Sequence, residues 1–536
     1  MSEERIILPP DPSRVMEGLR DTGYTFNTAM ADIVDNSISA GATKVDVTIN
    51  LLPNDEITIY IADNGCGMDN EGLMNAMTYG SRMRDDPKSL GKFGLGLKTA
   101  STAFCRSLSV LSKTEINGYN KYCWDIDHVS KVGEWELIKK DIDQDEVDLL
   151  EETTDGKAGT LVIWEKIDRV QGGKSSISKA YKRIVEDLKK HFAMVYQRYL
   201  DPDFKLCENL TIKVNGEPIE PWDPFCRNEE HTIIHSEFDQ PVILRDGSQE
   251  TFHVASYILP RPEQFSSLEA QKRARVSNTT AGIWVYREDR LIHFGDWLDL
   301  YVPEPHVSLL RVELSFSHKL DEALNIDIKK SKILLSEEIF NFLKTTYLPS
   351  PRNQAIDIYN SAQAKKAIKK SEDKGSHTLS NRTIEDKASE VITSAVKIIN
   401  AEKGEVQISN NNGTSLGTIR ILDMPETSKC RVVVEEKGDD TFLWEPGLVN
   451  GEHAVVINAN HPFYYKAYSK IKDTSVASAF DLLLWSFVEA EYSTYTQEVR
   501  DQYKDMRYQT SSKLKKLINS MPDLDIFGDN NEWNWV

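Results

Sequence analysis

The sequence predicts a multidomain α+β protein, and three observations carry that reading. Its 536 residues are more than one hydrophobic core organises. Stretches in which apolar residues alternate are interleaved with stretches of helical apolar spacing. No apolar run approaches the roughly 20 residues that cross a bilayer; the longest, Leu482–Val488, is interrupted by Ser486. A composition 40% hydrophobic and 28% charged excludes a disordered or fibrous chain.

Pro10–Ser39 reads as helix, because Val15, Leu19, Tyr24, Met30, Ile33 and Val34 recur at near-helical spacing, with a break at Gly23. Val45–Ile49 and Glu56–Ala62 alternate as strands joined by a turn at Pro53–Asp55. A glycine-rich, polar stretch, Gly65–Gly96, opens a second helix at about Leu97. Strands are expected again at Ser107–Leu111, Tyr122–Ile126, Glu134–Lys139 and Thr160–Trp164, and a helix over Ser178–Arg198 closes the block. A second α+β block follows, with strands at Leu210–Val214, His231–Ile234, Phe252–Ile258, Gly282–Tyr286 and Leu310–Phe316. Ser361–Ser380, rich in Lys, Ala and Ser, reads as a linker or a helix that runs out at Gly375. Beyond it, Val406–Ile408, Gly417–Leu422 and Arg431–Glu435 alternate as strands and Ser475–Lys516 reads as long helices. These boundaries divide the chain into residues 1–204, 205–345, a helical linker 346–400, and a mixed C-terminal domain 401–536.

The net charge of −20 opposes a protein that coats nucleic acid uniformly, since phosphate binding needs a positive surface. From Thr346 onward there are 23 basic and 27 acidic residues, a net of −4, so the first 345 residues carry −16. Part of that excess, Asp141 to Asp155, reads as a solvated acidic loop. Six scattered cysteines without a C-x-x-C pair fit reduced thiols in a cytoplasmic protein and argue against a zinc site or a disulfide framework. The acidic Met1–Arg5 start does not read as a secretory signal, and no membrane partner is expected.

Three segments carry candidate chemistry. Asp32 and Asn36 lie four apart on a helix, hence on one face. A carboxylate beside an amide oxygen suits an attacking water next to a phosphate-bound Mg²⁺, although a solvated helix face has the same pattern. Asp63-Asn-Gly65-Cys-Gly67-Met68 follows a strand; its carboxylate can accept from an exocyclic amine such as the adenine N6, and the same residues also suit a tight turn. Gly91-Lys92-Phe-Gly94-Leu95-Gly96-Leu97-Lys98-Thr99 leads into a helix and can cradle phosphates with backbone N–H groups, Lys92 and Lys98. It is neither a dinucleotide fingerprint nor a Walker A loop, whose spacings differ.

In this order the segments resemble the GHKL ATPase superfamily of gyrase B subunits, ninety-kilodalton heat-shock chaperones, MutL proteins, sensor histidine kinases and MORC proteins. Asp32…Asn36 resembles its E-x-x-x-N motif, Asp63-x-Gly65-x-Gly67 its D-x-G-x-G, Gly94-Leu95-Gly96 its lid-end G-x-G, and Gly159-Thr160 its later Gly-Thr. The wording around Asp35–Ala42 and Gly94–Thr99 is most similar to MutL- and MORC-like members and their bacterial relatives. The resemblance implies a Bergerat-type α/β sandwich over residues 1–204, a transducer-like α+β domain over 205–345, and ATP and Mg²⁺ as cofactors. It implies Asn36 as the Mg²⁺ ligand and Asp63 as the adenine partner. Gly65, Gly67 and Met68 would lie at the base, with Thr160 reaching the adenine. Lys92 and Gly94, Leu95, Gly96, Leu97 and Lys98 would surround the triphosphate, and Tyr79–Arg82 would belong to a mobile lid. It makes Asp32 the general base, where hydrolysing members have Glu, so turnover should be slow. In Asn325–Lys332, Lys329 or Lys330 resembles the transducer lysine that meets the γ-phosphate.

The function so implied is an ATP-operated clamp that dimerises through its ATPase region and acts on DNA or a DNA-associated complex, in genome maintenance or prokaryotic defence. A non-hydrolysing ATP-binding adaptor, which Asp32 keeps open, and a chaperone-like protein are the alternatives. A sensor kinase is disfavoured because no histidine lies among the 31 residues before Asp32, and a topoisomerase because it needs further domains.

Overall fold

The computed structural model describes residues 10–21, 23–81, 96–170, 177–204, 207, 209–244, 246–321, 324, 333–374, 376–424, 430–437, 440–471 and 473–520. The chain forms two compact units, Met1–Arg352 and Asn353–Val536. The expected α+β class holds in both.

The first unit begins with α1 (Pro12–Arg20) and α2 (Phe26–Ser39), separated at the glycine where the sequence pattern breaks. Thr25 and Thr28 cap α2 reciprocally, side chain to backbone, which satisfies N–H groups that a helix start otherwise leaves unpaired. Strands β1 (Lys44–Leu51) and β2 (Ile57–Asp63) pair antiparallel, and alternation sends Val45, Val47, Ile49, Ile57, Ile59 and Ile61 to one buried face. Helices α3 (Asn70–Met77) and α4 (Gly96–Thr102) flank the residues left undescribed. Then come β3 (Cys105–Lys113), β4 (Asn120–Asp125), α5 (Ile126–Val132), β5 (Ile138–Lys139), α6 (Gln144–Thr154) and β6 (Gly159–Ile167). Helices α7 (Ile177–Val195) and α8 (Gln197–Leu200) precede β7 (Thr211–Val214) and β8 (Glu217–Pro218). The eight strands form one sheet in the order β5-β4-β3-β6-β2-β1-β7-β8. One face carries the main core with residues of α1, α2 and α7, including Met16, Met30, Val34, Leu188 and Phe192. The other face packs Ala62, Leu111, Leu161 and Ile163 against Val147 and Leu150 of α6.

Two expectations are corrected here. The acidic run is a helix rather than a solvated loop: Asp143 caps α6, Asp145 and Glu146 sit in its first turn where carboxylates favour the helix dipole, and Val147, Leu150 and Thr153 are buried. The strand expected at Glu134–Lys139 shrinks to its last two residues. Asp125 caps α5 through the Asp127 and His128 N–H groups, and Gly133 ends it at φ +75°, so the chain re-enters the sheet late.

A second sheet completes this unit. Its strands are β9 (Ile233–Ile243), β10 (Gln249–Ile258), β11 (Gly282–Arg287), β12 (Arg290–Asp296) and β13 (Leu310–Phe316), in the order β12-β11-β13-β10-β9. Helix α9 (Leu268–Arg273) lies between β10 and β11, and α10 (Glu337–Asn341) follows β13. Trp284, Tyr286 and Leu291 of this sheet join the same core as the first sheet's helices, so both sheets share apolar packing.

The second unit holds most of α11 (Pro349–Lys374), then α12 (Thr378–Val391). Strands β14 (Ser394–Asn400), β15 (Glu405–Asn410) and β16 (Gly413–Thr418) make one sheet. Strands β17 (Arg420–Leu422), β18 (Val432–Glu435), β19 (Trp444–Val449) and β20 (Glu452–Asn458) make another, ordered β17-β19-β20-β18. Helices α13 (Pro462–Lys466), α14 (Thr474–Tyr492) and α15 (Gln497–Asn519) follow. Among the described residues no helix is long and apolar enough to cross a membrane.

His461, which caps α13, is a core residue at 0% exposure. Its Nδ1 accepts from the Phe463 N–H at 3.3 Å and its Nε2 donates to the Ser511 carbonyl at 3.1 Å, so the neutral ring uses both nitrogens. Burial pulls its pKa down from 6.5 to about 4. The unfolded chain therefore binds the extra proton first, and stability must fall as pH drops from about 6.5 to about 4. Denaturant titrations should show the wild type losing on the order of 2–3 kcal/mol more than His461→Gln across that window.

Candidate nucleotide site

The site assembles where Ser37 of α2 meets the end of β2, beside the paired ends of β6 and β3. Asp63 pairs with Thr160 across β2 and β6, and Thr160 pairs with Ser112 across β6 and β3. Residues opposite one another in adjacent strands share a face, so these three side chains form one polar row continuing the apolar rows beneath the helices. The Asp63 carboxylate is buried at 6% exposure; its Oδ1 accepts from the Gly65 N–H at 2.9 Å and its Oδ2 from the Ser37 hydroxyl at 2.8 Å. Ser112 Oγ accepts from the Met68 N–H at 2.9 Å, its hydroxyl donates to the Gly159 carbonyl at 2.9 Å, and it lies 2.8 Å from Thr160 Oγ1. A buried carboxylate at a strand end, beside hydroxyls and main-chain N–H groups, is equipped to recognise a heterocycle edge that carries both donor and acceptor.

Glycine is required around this row. Gly67 has φ +65°, and a Cβ there would lie 1.8 Å from the Lys113 carbonyl oxygen. A Cβ on Gly159 would lie 2.3 Å from the Asp63 carbonyl oxygen. The backbone closes on itself at both positions, so neither has room for a side chain.

One turn along α2, Asp32 and Asn36 are half-buried on the same helix face. The Tyr24 hydroxyl donates to Asp32 Oδ2 at 2.6 Å, and burial followed by the Asp32 charge drives the Tyr24 phenol well above its ordinary pKa, so it remains a donor. Asn36 Nδ2 donates to the Asp32 main-chain carbonyl at 2.9 Å, which turns the amide oxygen outward as a hard ligand. Among the described residues no cluster of three His, Cys, Asp or Glu side chains could hold a metal. That donor set fits Mg²⁺, which takes one or two protein oxygens and completes its octahedron from phosphates and water.

Asp35, adjacent to both, is buried and answers a different need. Arg290 of β12 donates to its Oδ1 at 2.6 Å, and the Tyr196 hydroxyl donates to the same oxygen at 2.9 Å. Burial and the Arg290 charge hold nearby His191 neutral, with its pKa pulled down to about 4. Lys98, expected at the phosphates, is buried at 1% exposure and donates from Nζ to the Ala76 carbonyl at 2.8 Å. Gly96 and Leu97 start α4 beside it. Tyr79 packs 5.6 Å from Trp124, and Gly80 has φ +72°. Lys92, Gly94, Leu95, Arg82, Lys329 and Lys330 lie outside the described residues.

Residues 24–160 match the family model described as histidine kinase-, DNA gyrase B- and HSP90-like ATPase. This region is a GHKL-type, MORC-like ATPase domain. The chain is 29% identical to ATPase MORC2B of Mus musculus over 91 residues, 16% of this chain and 9% of that protein. It is 29% identical to Protein MICRORCHIDIA 1 of Arabidopsis thaliana over 94 residues, 17% of this chain and 15% of that one. For Protein MICRORCHIDIA 3 of Arabidopsis thaliana the identity is 27% over 128 residues, covering 22% and 21%. The matches thus span at most about a fifth of these curated relatives.

Four residues of the GHKL domain site escape a motif reading. Ser37 and Ser112 hold Asp63 and Thr160, Tyr24 holds Asp32, and Arg290 holds Asp35. Ser37 was within reach, since it follows Asn36 directly. Ser112 reaches the site through strand pairing, Arg290 from an element distant in sequence, and Tyr24 from the loop just before α2.

Two outcomes test this architecture. Gly67→Ala should destabilise the chain by about 2–4 kcal/mol, from the left-handed φ and the carbonyl clash, as read by chemical denaturation. Arg290→Leu leaves the buried Asp35 carboxylate without its cation and should cost about 3–5 kcal/mol, whereas the Arg290→Leu/Asp35→Leu pair should recover part of that loss.

Proposed function

We propose that the chain is an Mg²⁺-dependent ATP-binding switch that hydrolyses ATP slowly and dimerises through its ATPase region when nucleotide is bound. The observation that carries this reading is the Asp63–Thr160–Ser112 row closed by Gly67, one helix turn from the Asp32–Asn36 pair. Asp63 accepts from the adenine amine, and Thr160 completes the polar edge with Ser112. Asn36 presents its amide oxygen to the metal, which when bound supplies neutralising charge at the phosphates. Asp32 takes the proton of the attacking water, with its carboxylate oriented by Tyr24. Aspartate is one methylene shorter than glutamate, which favours slow turnover through a less direct approach to the water. Gly94–Lys98 and Lys92 contact the triphosphate, and Lys329 or Lys330 meets the γ-phosphate. The load of the switch is DNA or a DNA-associated complex, in genome maintenance or prokaryotic defence; the MORC-like sequence similarity of the ATPase region supports this.

Nucleotide binding and turnover separate the parts. Asp32→Ala should bind ATP with near wild-type affinity and lose hydrolysis by about 10²–10⁴-fold. Asn36→Ala should lose Mg²⁺-dependent binding, and Asp63→Ala should lose ATP binding altogether, both read by calorimetry. ATP binding by the wild type with no turnover above background would instead establish the non-hydrolysing adaptor. Wild-type affinity in Asp63→Ala would remove the adenine assignment.

A further inference from the structure

Helix α14 in the second unit turns its charges inward. Its three charged side chains, Asp481, Glu489 and Glu491, are all buried. Asp481 accepts from Ser380 and Tyr468, Glu489 lies 2.8 Å from His453 Nδ1, and Glu491 accepts from Arg507. The outer face instead carries Val476, Phe480, Leu483 and Phe487, exposed by 45, 38, 52 and 37%. Their spacing of four, three and four residues puts them in one stripe about 16 Å long. Both phenylalanines are steadied from beneath: Phe487 stacks 6.1 Å from Trp444, and Phe480 lies 6.0 Å from Tyr468. A surface helix ordinarily shows its charges to water, so an apolar stripe in their place marks a surface that something covers.

The chain itself supplies a cover of the right chemistry. Residues 521–536 follow α15 and lie outside the described residues. They hold Leu524, Ile526, Phe527, Trp533 and Trp535 together with four acids, and no Lys or Arg. Asp523 and Asp525 alternate with Leu524 and Ile526, the order that sends acids to one side of an extended backbone and apolar groups to the other. Laid on α14, such a segment buries its apolar side and returns to the surface the carboxylates that the helix withholds. An uncharged stripe also admits an acidic segment without like-charge opposition, in a chain that bears −20. Reach agrees with this. The Leu443 N–H donates to Ser511 Oγ of α15 at 2.9 Å, and Phe487 stacks on the next residue, Trp444. From Ser511 to the end of α15 at Asn519 is about 12 Å along the helix. The segment beyond extends to roughly 50 Å, so the stripe lies within its tether, at an effective concentration on the order of millimolar. We propose that residues 521–536 lie along the outer face of α14 and cover its Phe480–Leu483–Phe487 stripe within the same chain. The contact does not depend on the nucleotide assignment of the first unit.

Hydroxyl-radical footprinting of the full 536-residue chain reads the accessibility of each side chain directly. The comparison is with a full-length variant carrying Ile526→Asp, Phe527→Asp, Trp533→Asp and Trp535→Asp together, which keeps the segment's length and removes its apolar side. Phe480, Leu483 and Phe487 should be oxidised roughly threefold more in the variant than in the wild type, as expected when half-exposed side chains lose a cover. Leu416 on β16, 64% exposed, should react equally in both and serves as the internal reference. Protection of the stripe in the wild type should not change with protein concentration. A stripe as reactive as Leu416 in the wild type would show that nothing covers it and overturn the proposal. Protection that grows with concentration would assign the cover to a second copy, and protection that survives the four substitutions would assign it to another segment; either result overturns the proposal as well.

Discussion

The position of α2 is the constraint on which the candidate site depends. The helix is tied at one point to the first sheet, where Ser37 donates to Asp63, and at another to the second sheet, where Arg290 reaches Asp35. A buried carboxylate left without its cation is costly, so the Asp35–Arg290 contact admits little drift. With the helix so held, the Asp32–Asn36 face and the Asp63 row keep a set separation. The network around Asp35 also ties the second sheet to the helices packed on the first, since Arg290 sits on β12 while Tyr196 follows α7. A shift of either sheet would be felt at the residues proposed to meet the nucleotide.

The substitution of Asp for Glu at position 32 gains meaning in that frame. Tyr24 belongs to the loop between α1 and α2, and its hydroxyl meets the Asp32 carboxylate at 2.6 Å. A shorter acid is thereby given a fixed orientation by a residue outside the motif. Lys98, which the same motif order places near phosphates, is buried, and its ammonium donates to the carbonyl of Ala76.

Much of the candidate site was legible in the sequence because its parts are local. Asp32 and Asn36 share a face by helical periodicity alone, and Asp63-Asn-Gly65-Cys-Gly67 is a strand end followed by residues that tolerate close backbone approach. Ser112 and Arg290 were not legible, since nothing local distinguishes them from any strand serine or arginine. The acidic run misled for a related reason: eight acids read as a solvated segment, yet Val147 and Leu150 stand one helical turn apart and bury on the sheet. Charge count outweighed periodicity where periodicity was the better guide.

By itself the sequence determined the α+β class, the strand alternation of Val45–Ala62, the helix break at Gly23 and the motif order that implies a nucleotide. These follow from side-chain period and backbone freedom, which act over a few residues. Tertiary structure alone decided that Asp63, Thr160 and Ser112 stand in one row, that Asp35 belongs to Arg290 and not to the Asp32–Asn36 pair, and that α14 hides its acids and shows its phenylalanines. Each of those depends on strand register or on which face of a helix finds a core, and such choices are made by partners far away in the chain.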